Sequence, residues 1–457
     1  MKPIVKKEKP VVDITKYQPK AWENWDFRLN SKGNIAKNSI QNIEVILEND
    51  PNLVNKLAYN EFTYDIEVLK DIILPNSLVK AGIVKNDLES ALLCYFEKEY
   101  GVLFAKNNLV DAIVNTANRH RYNPVQDYFN LCRKNWDGQK RLPSFFNHFL
   151  GVEQTEITEL ITNLFFVGTV SKTFNPESKF DFVLDLIGGQ GAGKTTLLQK
   201  LATPKWYTDS ITDFLNKDNQ AIMLRALIVN DDEMVATKKS DFEEVKKFVT
   251  QQFLEFRKPF DRRPERYNKN FVIARTSNHI EYLKDRTGER RFLPLLVNPE
   301  QQLLSPITDL TEEVVAQLWG EAVHLYESGF DFMLTKEQTS ALVQHREQFE
   351  YKDALELEVE EYLEILIPKN FYTLEMWKRT RYIQDVLQYG SSDIGIGTEV
   401  RTWVTTKNIA IELWGETVAN QRAKTNKIKY ILDNLPDWKF GNTRINGKPK
   451  KVYNRIK

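Results

Sequence analysis

The spacing of apolar residues changes twice along the chain. Up to about residue 150 it is mostly helical, as in "DLESALLCYFEKEYG", where Gly101 provides a stop signal. Between about 175 and 300, apolar runs of strand length alternate with helical stretches, and beyond 300 the spacing is helical again. Strands that alternate with helices are typical of a parallel α/β sheet. We therefore predict such a sheet in the middle of the chain.

Four apolar runs are the predicted strands of this sheet. They are "FDFVLDLIGG", "ALIVNDDEM", "NFVIARTSN" and "RRFLPLLV". The stretches "TTLLQKLA" and "DFEEVKKFVTQQFLEF" are predicted as helices between them. The first strand runs into a glycine pair, the second into acids, and the third into Thr-Ser-Asn. Each of these strand ends therefore carries candidate chemistry.

The first strand leads into "GGQGAGKTT", which fits the pattern G-x-x-x-x-G-K-[ST]. Glycines let backbone N–H groups curl around the phosphates of a nucleotide, and the following helix presents its N-terminus to the same anion. Lys194 reaches the β and γ phosphates in this pattern, and the Thr195 hydroxyl binds Mg²⁺. The predicted ATP-binding residues are Gly188, Gly189, Gln190, Gly191, Ala192, Gly193, Lys194, Thr195 and Thr196. The alternative is a glycine-rich turn without a ligand.

Polar residues at the ends of the next two strands complete the predicted chemistry. In a nucleotide-binding sheet, one acid holds Mg²⁺ and another polarises the attacking water. We assign Asp232 to the metal and Glu233 to the water, with Asp231 as the alternate metal ligand. Asn278 would lie beside the γ-phosphate if its strand neighbours the phosphate-loop strand. The alternatives are a solvated acidic turn and a turn-forming asparagine.

The composition shows an uneven distribution of charge and indicates the cellular compartment. Basic and acidic residues balance at 63 each, but residues 421–457 hold 11 basic and 2 acidic residues. A localised basic end favours an anionic partner. Two cysteines without a CxxC motif argue against a zinc site or a disulfide framework. We find no signal peptide and no membrane-spanning run, and we expect a cytoplasmic protein.

Two basic stretches are candidate nucleic-acid contacts. The segment "FRKPFDRRPERYNKN", residues 256–270, interleaves cations with aromatic rings, and its two prolines favour a projecting hairpin over a helix. The C-terminal end is predicted as two helices and two strands, which resemble a winged helix. The candidate DNA-binding residues are Arg257, Lys258, Phe260, Arg262 and Arg263 in the first stretch, and Lys427, Lys448, Lys450 and Lys451 in the second. Solvated loops and protein contact are the alternatives.

From about Tyr122 to Phe349 the sequence resembles the virulence-associated protein E family of prophages and genomic islands. That family is related to the superfamily 3 helicases and to poxvirus-type primase-helicases. The resemblance is carried by "WDGQKRL", "RKPFDRR" and "DRTGERRF" in this order around the phosphate loop. It implies an AAA+-like ATPase core that works as a ring, which we expect to be a hexamer, on single-stranded DNA in a bacterial host. Duplex DNA is the expected partner of the C-terminal domain.

The resemblance also assigns positions. Lys194, Thr195, Glu233, Asn278 and the pair Arg290/Arg291 fall on motif positions of the family. Where family members carry a glutamate three places before Glu233, this chain has Asn230. In ring ATPases an arginine of one subunit reaches the γ-phosphate bound to its neighbour. Arg290 and Arg291 are therefore our candidates for this arginine finger, ahead of Arg286. A pair of surface charges is the alternative.

The predicted organisation has five parts. They are a disordered basic tail (1–20), a mainly helical N-terminal domain (21–155), a P-loop ATPase domain (156–335), a helical connector (336–400) and a winged-helix-like domain (401–457). The predicted function is an ATP-hydrolysing helicase or translocase in phage or mobile-element replication. An ATP-switched origin-binding initiator that does not unwind DNA is the alternative, and a P-loop kinase is a weaker one.

Overall fold

The computed structural model describes residues 21–456, except 241, 258–262, 284–288, 352–353, 416–421, 436 and 446–447. The chain divides into two compact units, one with residues 1–280 and 287–348 and the other with 281–286 and 349–457. The predicted connector is thus divided between the units after residue 348. The predicted tail, together with Lys258, Phe260, Arg262 and Arg286, lies outside the described residues.

The N-terminal part of the first unit is rich in helix but also contains two small sheets. Its helices are α1 (Ile40–Asn49), α2 (Asn86–Tyr100), α3 (Lys106–Arg119), α4 (Pro124–Lys134) and α5 (Phe145–Leu150). Its strands are β1 (Leu57–Asn60), β2 (Asp65–Val68), β3 (Ile72–Leu74), β4 (Ser77–Val79), β5 (Gly82–Ile83) and β6 (Arg121–Tyr122). They form the sheet β5-β2-β1-β6 and the hairpin β3-β4. The helical spacing of apolar residues in this part of the sequence did not predict these two sheets.

The predicted parallel sheet is present and has five strands, in the order β13-β7-β12-β9-β8. The strands are β7 (Val183–Gly188), β8 (Tyr207–Thr208), β9 (Ile228–Asp231), β12 (Val272–Ser277) and β13 (Phe292–Val297). Helices α6 (Glu156–Phe174), α7 (Lys194–Leu201), α8 (Lys217–Met223), α9 (Val235–Lys239), α10 (Phe242–Thr250), α11 (Glu312–Glu327) and α12 (Lys336–Arg346) accompany the sheet. The phosphate-loop strand β7 therefore lies between β13 and β12.

Burial explains the near-continuous apolar strands. Every residue of β7 and of β12 is buried, as expected for parallel strands covered on both faces. Helix α6 is buried almost all round and begins at Thr155, which forms a capping box with Thr158. Phe166 of α6 and Trp319 of α11 pack with ring centroids 4.9 Å apart in the same core. This core holds the sheet edge where the candidate site lies.

One predicted helix is wrong at its C-terminal end. Helix α10 ends at Thr250, and "FLEF" forms strand β10 (Phe253–Phe256), which pairs antiparallel with β11 (Glu265–Asn268). The alternation of exposed Phe253 and Glu255 with buried Leu254 and Phe256 has a period of two, which is that of a strand. The predicted hairpin is thus present: its two strands flank the prolines of the basic segment, and the first strand begins at Phe253, before that segment.

The second unit follows the predicted order of elements. It contains helices α13 (Ala354–Glu364), α14 (Met376–Tyr389), α15 (Thr406–Trp414) and α16 (Arg422–Asn434), and strands β14 (Trp403–Val404), β15 (Trp438–Ile445) and β16 (Lys448–Arg455). The strands form an antiparallel sheet in the order β14-β16-β15. Its core encloses the ion pair of Arg401 and Glu412, which lie 3.5 Å apart, and Tyr362 donates to Glu412 (2.6 Å).

Candidate active site

The segment between β7 and α7 turns tightly around its glycines. Gly188, Gly191 and Gly193 have φ angles of 135°, 85° and 79°, a region that side chains with a Cβ rarely adopt. A Cβ on Gly188 would lie 2.4 Å from the carbonyl oxygen of Val297 in β13, whereas nothing lies within 4 Å of the corresponding position on Gly191. The loop is therefore packed against β13 at its start and open at its middle.

Lys194 is the first residue of α7, and its side chain folds back over this loop. Its Nζ donates to the carbonyl oxygens of Gly188 (2.7 Å) and Gly189 (2.9 Å) and to Oδ1 of Asn278 (3.1 Å). Burial lowers the pKa of Lys194, and the carboxylates of Glu233 and Asp232 oppose that shift. The ammonium group is thus held between the glycine loop and the end of β12.

Asp232 lies where two hydroxyl groups converge. Its Oδ1 accepts hydrogen bonds from Oγ1 of Thr195 (2.9 Å) and from Oγ1 of Thr276 (2.7 Å). Nδ2 of the buried Asn230 is 3.4 Å from the same oxygen and donates to the hydroxyl of Tyr207 at 3.0 Å. The two residues assigned to the metal, Thr195 and Asp232, are therefore in direct contact.

Asp231, the alternate metal ligand, has a different environment. It is fully buried, and its carboxylate accepts from the backbone N–H groups of Ala236 (2.8 Å) and Thr237 (2.9 Å) and from the Thr237 hydroxyl (2.6 Å). These are the hydrogen bonds of a residue that stabilises the first turn of a helix, here α9. Because the carboxylate oxygens of Asp231 are engaged in this way, Asp232 remains the candidate for the metal.

Glu233 sits on strained backbone. Both Glu233 and Met234 have positive φ angles, 51° and 52°, which costs on the order of 1–3 kcal/mol for each residue without glycine's freedom. The turn is held by the bonds from α9 to Asp231 and by the bond from the Glu233 N–H to Oγ1 of Thr276 (3.1 Å). Strain of this kind is found where a side chain must point in one direction, and it aims Glu233 at Asn278.

Asn278 bridges the lysine and the glutamate. Its Oδ1 accepts from Lys194, and its Nδ2 donates to Oε1 of Glu233 at 2.8 Å. An ammonium group only donates and a carboxylate only accepts, so these two partners fix the orientation of the amide. The strand that leads to Asn278, β12, is adjacent and parallel to the phosphate-loop strand β7, as the prediction for Asn278 required. The structure thus brings Lys194, Thr195, Asp232, Glu233 and Asn278 into one hydrogen-bonded cluster.

The donor set of this cluster fits Mg²⁺ bound together with phosphates. A hydroxyl and a carboxylate oxygen are hard ligands, and Mg²⁺ commonly uses one or two carboxylates and completes its shell with substrate phosphates and water. No group of three or more His, Cys, Asp and Glu residues suited to a metal occurs among the described residues. A closed metal cage is therefore absent from that part of the chain, whereas an open site at Thr195 and Asp232 is compatible with it.

A buried ion pair beneath the site is missing from the sequence predictions. Arg275 in β12 lies opposite Asp185 in β7 and donates to both of its oxygens (2.7 and 2.6 Å), with both side chains almost fully buried. The guanidinium also lies 4.0 Å from the ring centroid of Phe292 in β13. The sequence does carry a signal for this pair: β7 contains one acidic residue, β12 contains one basic residue, and both lie in the middle of apolar strands. The pair joins the strand of the phosphate loop to the strand of Asn278.

Comparison with known proteins agrees with the resemblance stated above. The family model of the virulence-associated protein E-like domain matches residues 130–351. Over these residues the chain is similar to that domain. No curated protein matches the chain significantly.

Solved structures of one protein region are similar over most of the chain. Two are apo structures of the C-terminal region of NrS-1, residues 305–718, with 13% identity and TM-scores of 0.43 and, for the A form, 0.41. A further A-form structure of that region has 16% identity and a TM-score of 0.41. Each alignment covers 88% of this chain and 96% of the other. At this identity and score the likeness carries no conclusion about this chain.

Arg290 and Arg291 immediately precede β13, within the residues that the family model matches. Arg290 is exposed and Arg291 is partly buried. The buried Arg346 at the end of α12 donates to the carbonyl oxygens of Arg290 (2.9 Å) and Phe292 (2.7 Å), and Nε2 of His345 lies 2.8 Å from the carbonyl oxygen of Pro294. Because β13 is at the edge of the sheet, these side chains occupy its outer carbonyl groups. The backbone on both sides of Arg291 is thus held by Arg346 of α12.

The basic hairpin, which also lies within the matched residues, differs in part from the prediction. Arg257 and Arg263 are exposed as expected. The expectation of exposed rings at Phe256 and Tyr267 is wrong, because both are buried and pack with centroids 5.2 Å apart. Among the rings of β10 and β11, Phe253 reaches solvent, and the guanidinium of Arg266 lies over it, 3.9 Å from the ring centroid.

Lys269, at the end of that basic stretch, points into the protein and not into solvent. It is buried, and its Nζ donates to the carbonyl oxygens of Phe248 (2.9 Å) and Val249 (3.3 Å) at the end of α10. Burial and, to a smaller extent, the neighbouring charge of Lys172 lower the pKa of Lys269 to about 7. Lys269 therefore anchors the hairpin to α10.

The candidate DNA-binding lysines of the second unit lie outside the residues that the family model matches. Lys427 of α16 and Lys450 and Lys451 of β16 are exposed. Lys450 and Lys451 pair in register with Thr443 and Asn442 of β15, and the side chain of Lys448 lies outside the described residues. No helix among the described residues has both the length and the apolar character needed to cross a membrane.

Proposed function

We propose that this chain is an ATP-hydrolysing DNA helicase or translocase that assembles as a ring, with a hexamer expected, in the replication of a phage or mobile element. The observation that carries the proposal is the cluster of Lys194, Thr195, Asp232, Glu233 and Asn278 at the carboxyl edge of a parallel sheet. Ligands of open α/β sheets bind at this edge. The P-loop identity of the core and its AAA+-like character are part of the proposal.

In this proposal each residue of the cluster has a separate role. The loop from Gly188 to Thr196 cradles the phosphates with its N–H groups, and Lys194 exchanges its bonds to the loop carbonyls for bonds to the β and γ phosphates. Glu233 accepts a proton from the attacking water as general base. Asn278 orients that water and releases Glu233 as it turns to the γ-phosphate. The water oxygen bonds to the γ-phosphorus as the bond from that phosphorus to the ADP oxygen breaks, and ADP and inorganic phosphate are released.

The metal would be held by Thr195 and Asp232. Bound Mg²⁺ supplies neutralisation of charge on the phosphate oxygens. Arg290 and Arg291 would stabilise the transition state from a neighbouring subunit, in the manner of an arginine finger. DNA would be contacted by the basic hairpin around Arg257 and Arg263 and, as duplex, by the lysines of the second unit.

ATP hydrolysis and strand displacement, measured with wild type and Lys194→Ala, test the proposal. We expect hydrolysis that single-stranded DNA accelerates and displacement that ATP requires, and we expect Lys194→Ala to lose both by about two orders of magnitude or more. The matched control is Lys217→Ala, an exposed lysine at the start of α8, which should behave as wild type. Displacement that survives Lys194→Ala would contradict the proposal.

An ATP-switched initiator is the second candidate, and the exposed lysines of α16 and β16 favour it. In that case ATP controls assembly, and the winged-helix-like domain binds duplex DNA. Wild-type protein would then bind duplex DNA and hydrolyse ATP without displacing a strand. The same experiment therefore separates the two candidates.

A further inference from the structure

A cavity of about 830 Å³ opens beside the phosphate loop, at the carboxyl end of β13. Asn298 and Gln301, in the turn after β13, line it. The next residue in that turn, Gln302, donates through Nε2 to the carbonyl oxygen of Ala192 in the phosphate loop (2.7 Å). A Cβ on Gly189 of the loop would also lie 3.2 Å from Cγ of Pro299. The cavity and the loop are therefore neighbours that share one turn.

The cavity lies on the side of β7 opposite to the acids. The strand order places β13 on one side of β7, and β12 and β9 on the other. Asn278 follows β12, and Asp232 and Glu233 follow β9. In the proposed function the terminal phosphate lies beside these three residues. A triphosphate is an extended group, so the far end of the nucleotide is directed towards β13 and the cavity.

The walls of the cavity have the chemistry that a nucleobase needs. Ile157, Leu296 and Ala341 provide apolar contact, and the amide side chains of Gln301 and Gln344 also line the cavity. An amide both donates and accepts hydrogen bonds, as the edge of a base requires, while apolar groups pack on its faces. No lysine or arginine is among the described residues that line the cavity. The cavity is therefore unsuited to a second phosphate.

We infer that this cavity receives the adenosine end of the nucleotide whose phosphates bind at Lys194. The inference rests on the proposed function and adds to it the residues that recognise the nucleoside. Its volume lies in the range of small-molecule sites, roughly 300–1,000 Å³, and accommodates a purine with its ribose. Helix α12 lines the cavity with Ala341 and Gln344, and the same helix holds the arginine pair through Arg346.

Filling the cavity tests the inference. Ala341→Trp places an indole in the cavity from an exposed position of α12. Val343→Trp adds the same indole to the same helix at a site that is 53% exposed and is not among the lining residues. Binding of ATP and of inorganic tripolyphosphate is measured by calorimetry in the presence of Mg²⁺. Because tripolyphosphate has no nucleoside, it serves as the probe of the phosphate loop alone.

We expect Ala341→Trp to weaken ATP binding by about tenfold or more through a direct clash, with tripolyphosphate binding as in wild type. Val343→Trp should change neither. Gln344→Ala, which keeps the cavity open, should weaken ATP binding about threefold through one lost hydrogen bond, and it decides the question if Ala341→Trp does not fold. Wild-type ATP affinity in both Ala341→Trp and Gln344→Ala would overturn the inference. Unchanged ATP binding in Lys194→Ala would instead overturn the proposed function.

Discussion

The sheet edge around Lys194 and the basic surface of β16 both carry predicted function, but they hold their charges differently. At the sheet edge, the ammonium group of Lys194 has three hydrogen-bond partners, and Asp232 accepts from two threonines. On β16, Lys450 and Lys451 are exposed, with their backbone fixed by pairing to β15. At the sheet edge the charged side chains themselves are held in place, whereas on β16 only the backbone of the strand is held.

This difference determines how each region should respond to mutation. Where a few side chains hold one another in place, the loss of one disturbs the rest and the effects are large and non-additive. Where solvated cations act together on an anion, each contributes a small share that salt screens. The predictions below test that contrast from the largest expected effect to the smallest.

The arginine pair should show the largest effect. In the proposed ring, Arg290→Ala or Arg291→Ala should bind ATP normally but lower hydrolysis by about 10³-fold, the lower end of the range for arginine fingers. Steady-state hydrolysis and ATP binding are measured for each variant. Mixing the inactive arginine variant with Lys194→Ala should restore some activity, because intact loops and intact arginines then meet at shared interfaces. If neither substitution changes hydrolysis, the pair is an ordinary surface charge cluster.

The adjacent residues Asp231 and Asp232 should respond in opposite ways. Asp232→Asn should lower Mg²⁺-dependent hydrolysis by about 10²-fold while leaving stability almost unchanged. Asp231→Asn should instead destabilise the first unit by about 1–2 kcal/mol, because it weakens the bonds to α9. Hydrolysis as a function of Mg²⁺ concentration and urea-induced unfolding measure the two effects. A loss of Mg²⁺ response in Asp231→Asn alone would reverse the assignment of the metal ligand.

A buried lysine that donates to the end of α10 and an exposed lysine within α10 extend the contrast to pH. The folded-state pKa of Lys269 is lowered to about 7, so between pH 7 and 8 the folded chain goes from half protonated to almost unprotonated at this group, whereas the unfolded chain keeps the proton. The free energy of unfolding should therefore rise by about 1 kcal/mol over that unit. Lys269→Met should remove this rise.

The control for that prediction is Lys247→Met, which removes an exposed lysine of α10 and should keep the wild-type rise. Urea-induced unfolding at pH 7 and pH 8 measures the difference. A second buried lysine, Lys172, has a pKa that burial lowers to about 8. Its contribution to the rise in the free energy of unfolding therefore falls mainly above pH 8, outside the interval from pH 7 to pH 8. An equal slope in Lys269→Met and wild type would mean that Lys269 is not the group responsible.

Single lysines of β16 should have the smallest effects. Lys450→Ala and Lys451→Ala should each weaken binding to duplex DNA about threefold and reduce the slope of log K against log salt by about 1. Titrations at several salt concentrations measure both quantities, with Lys336→Ala as an exposed lysine of the other unit. A single substitution that abolished DNA binding would show that this surface is built like the sheet edge, and the contrast would fail.

Much of the fold was predictable because it is recorded in local patterns. The four apolar runs are strands of one parallel sheet, and the loop motif identified Lys194 and Thr195 before their contacts were known. The error at "FLEF" has a physical cause, since four residues with alternating burial fit the end of an amphipathic helix almost as well as a short strand. The small strands β1–β6 are two to four residues long, too short to give a periodic signal.

The details of the site were less predictable because they depend on pairs of residues distant in sequence. Nothing near Asp231 distinguishes it from Asp232, and only the backbone of Ala236 and Thr237 shows that Asp231 serves the helix. Arg275 and Asp185 are separated by 90 residues and become partners only when β12 lies next to β7. A buried charge in an apolar strand predicts that a partner exists but not which residue it is.

The edge strand β13 connects the phosphate loop, at its carboxyl end, with the arginine pair Arg290/Arg291, just before its first residue. Its last residue, Val297, is in register with Gly188 of the phosphate loop, and the backbone before its first residue belongs to Arg290 and Arg291. Six residues of strand span about 20 Å, and continuous pairing with β7 makes that span stiff. In the proposed ring, a shift of the loop on hydrolysis would be passed along the strand to the arginines at the adjoining subunit. Each hydrolysis event would then set the timing of the next, so that the subunits would act in turn.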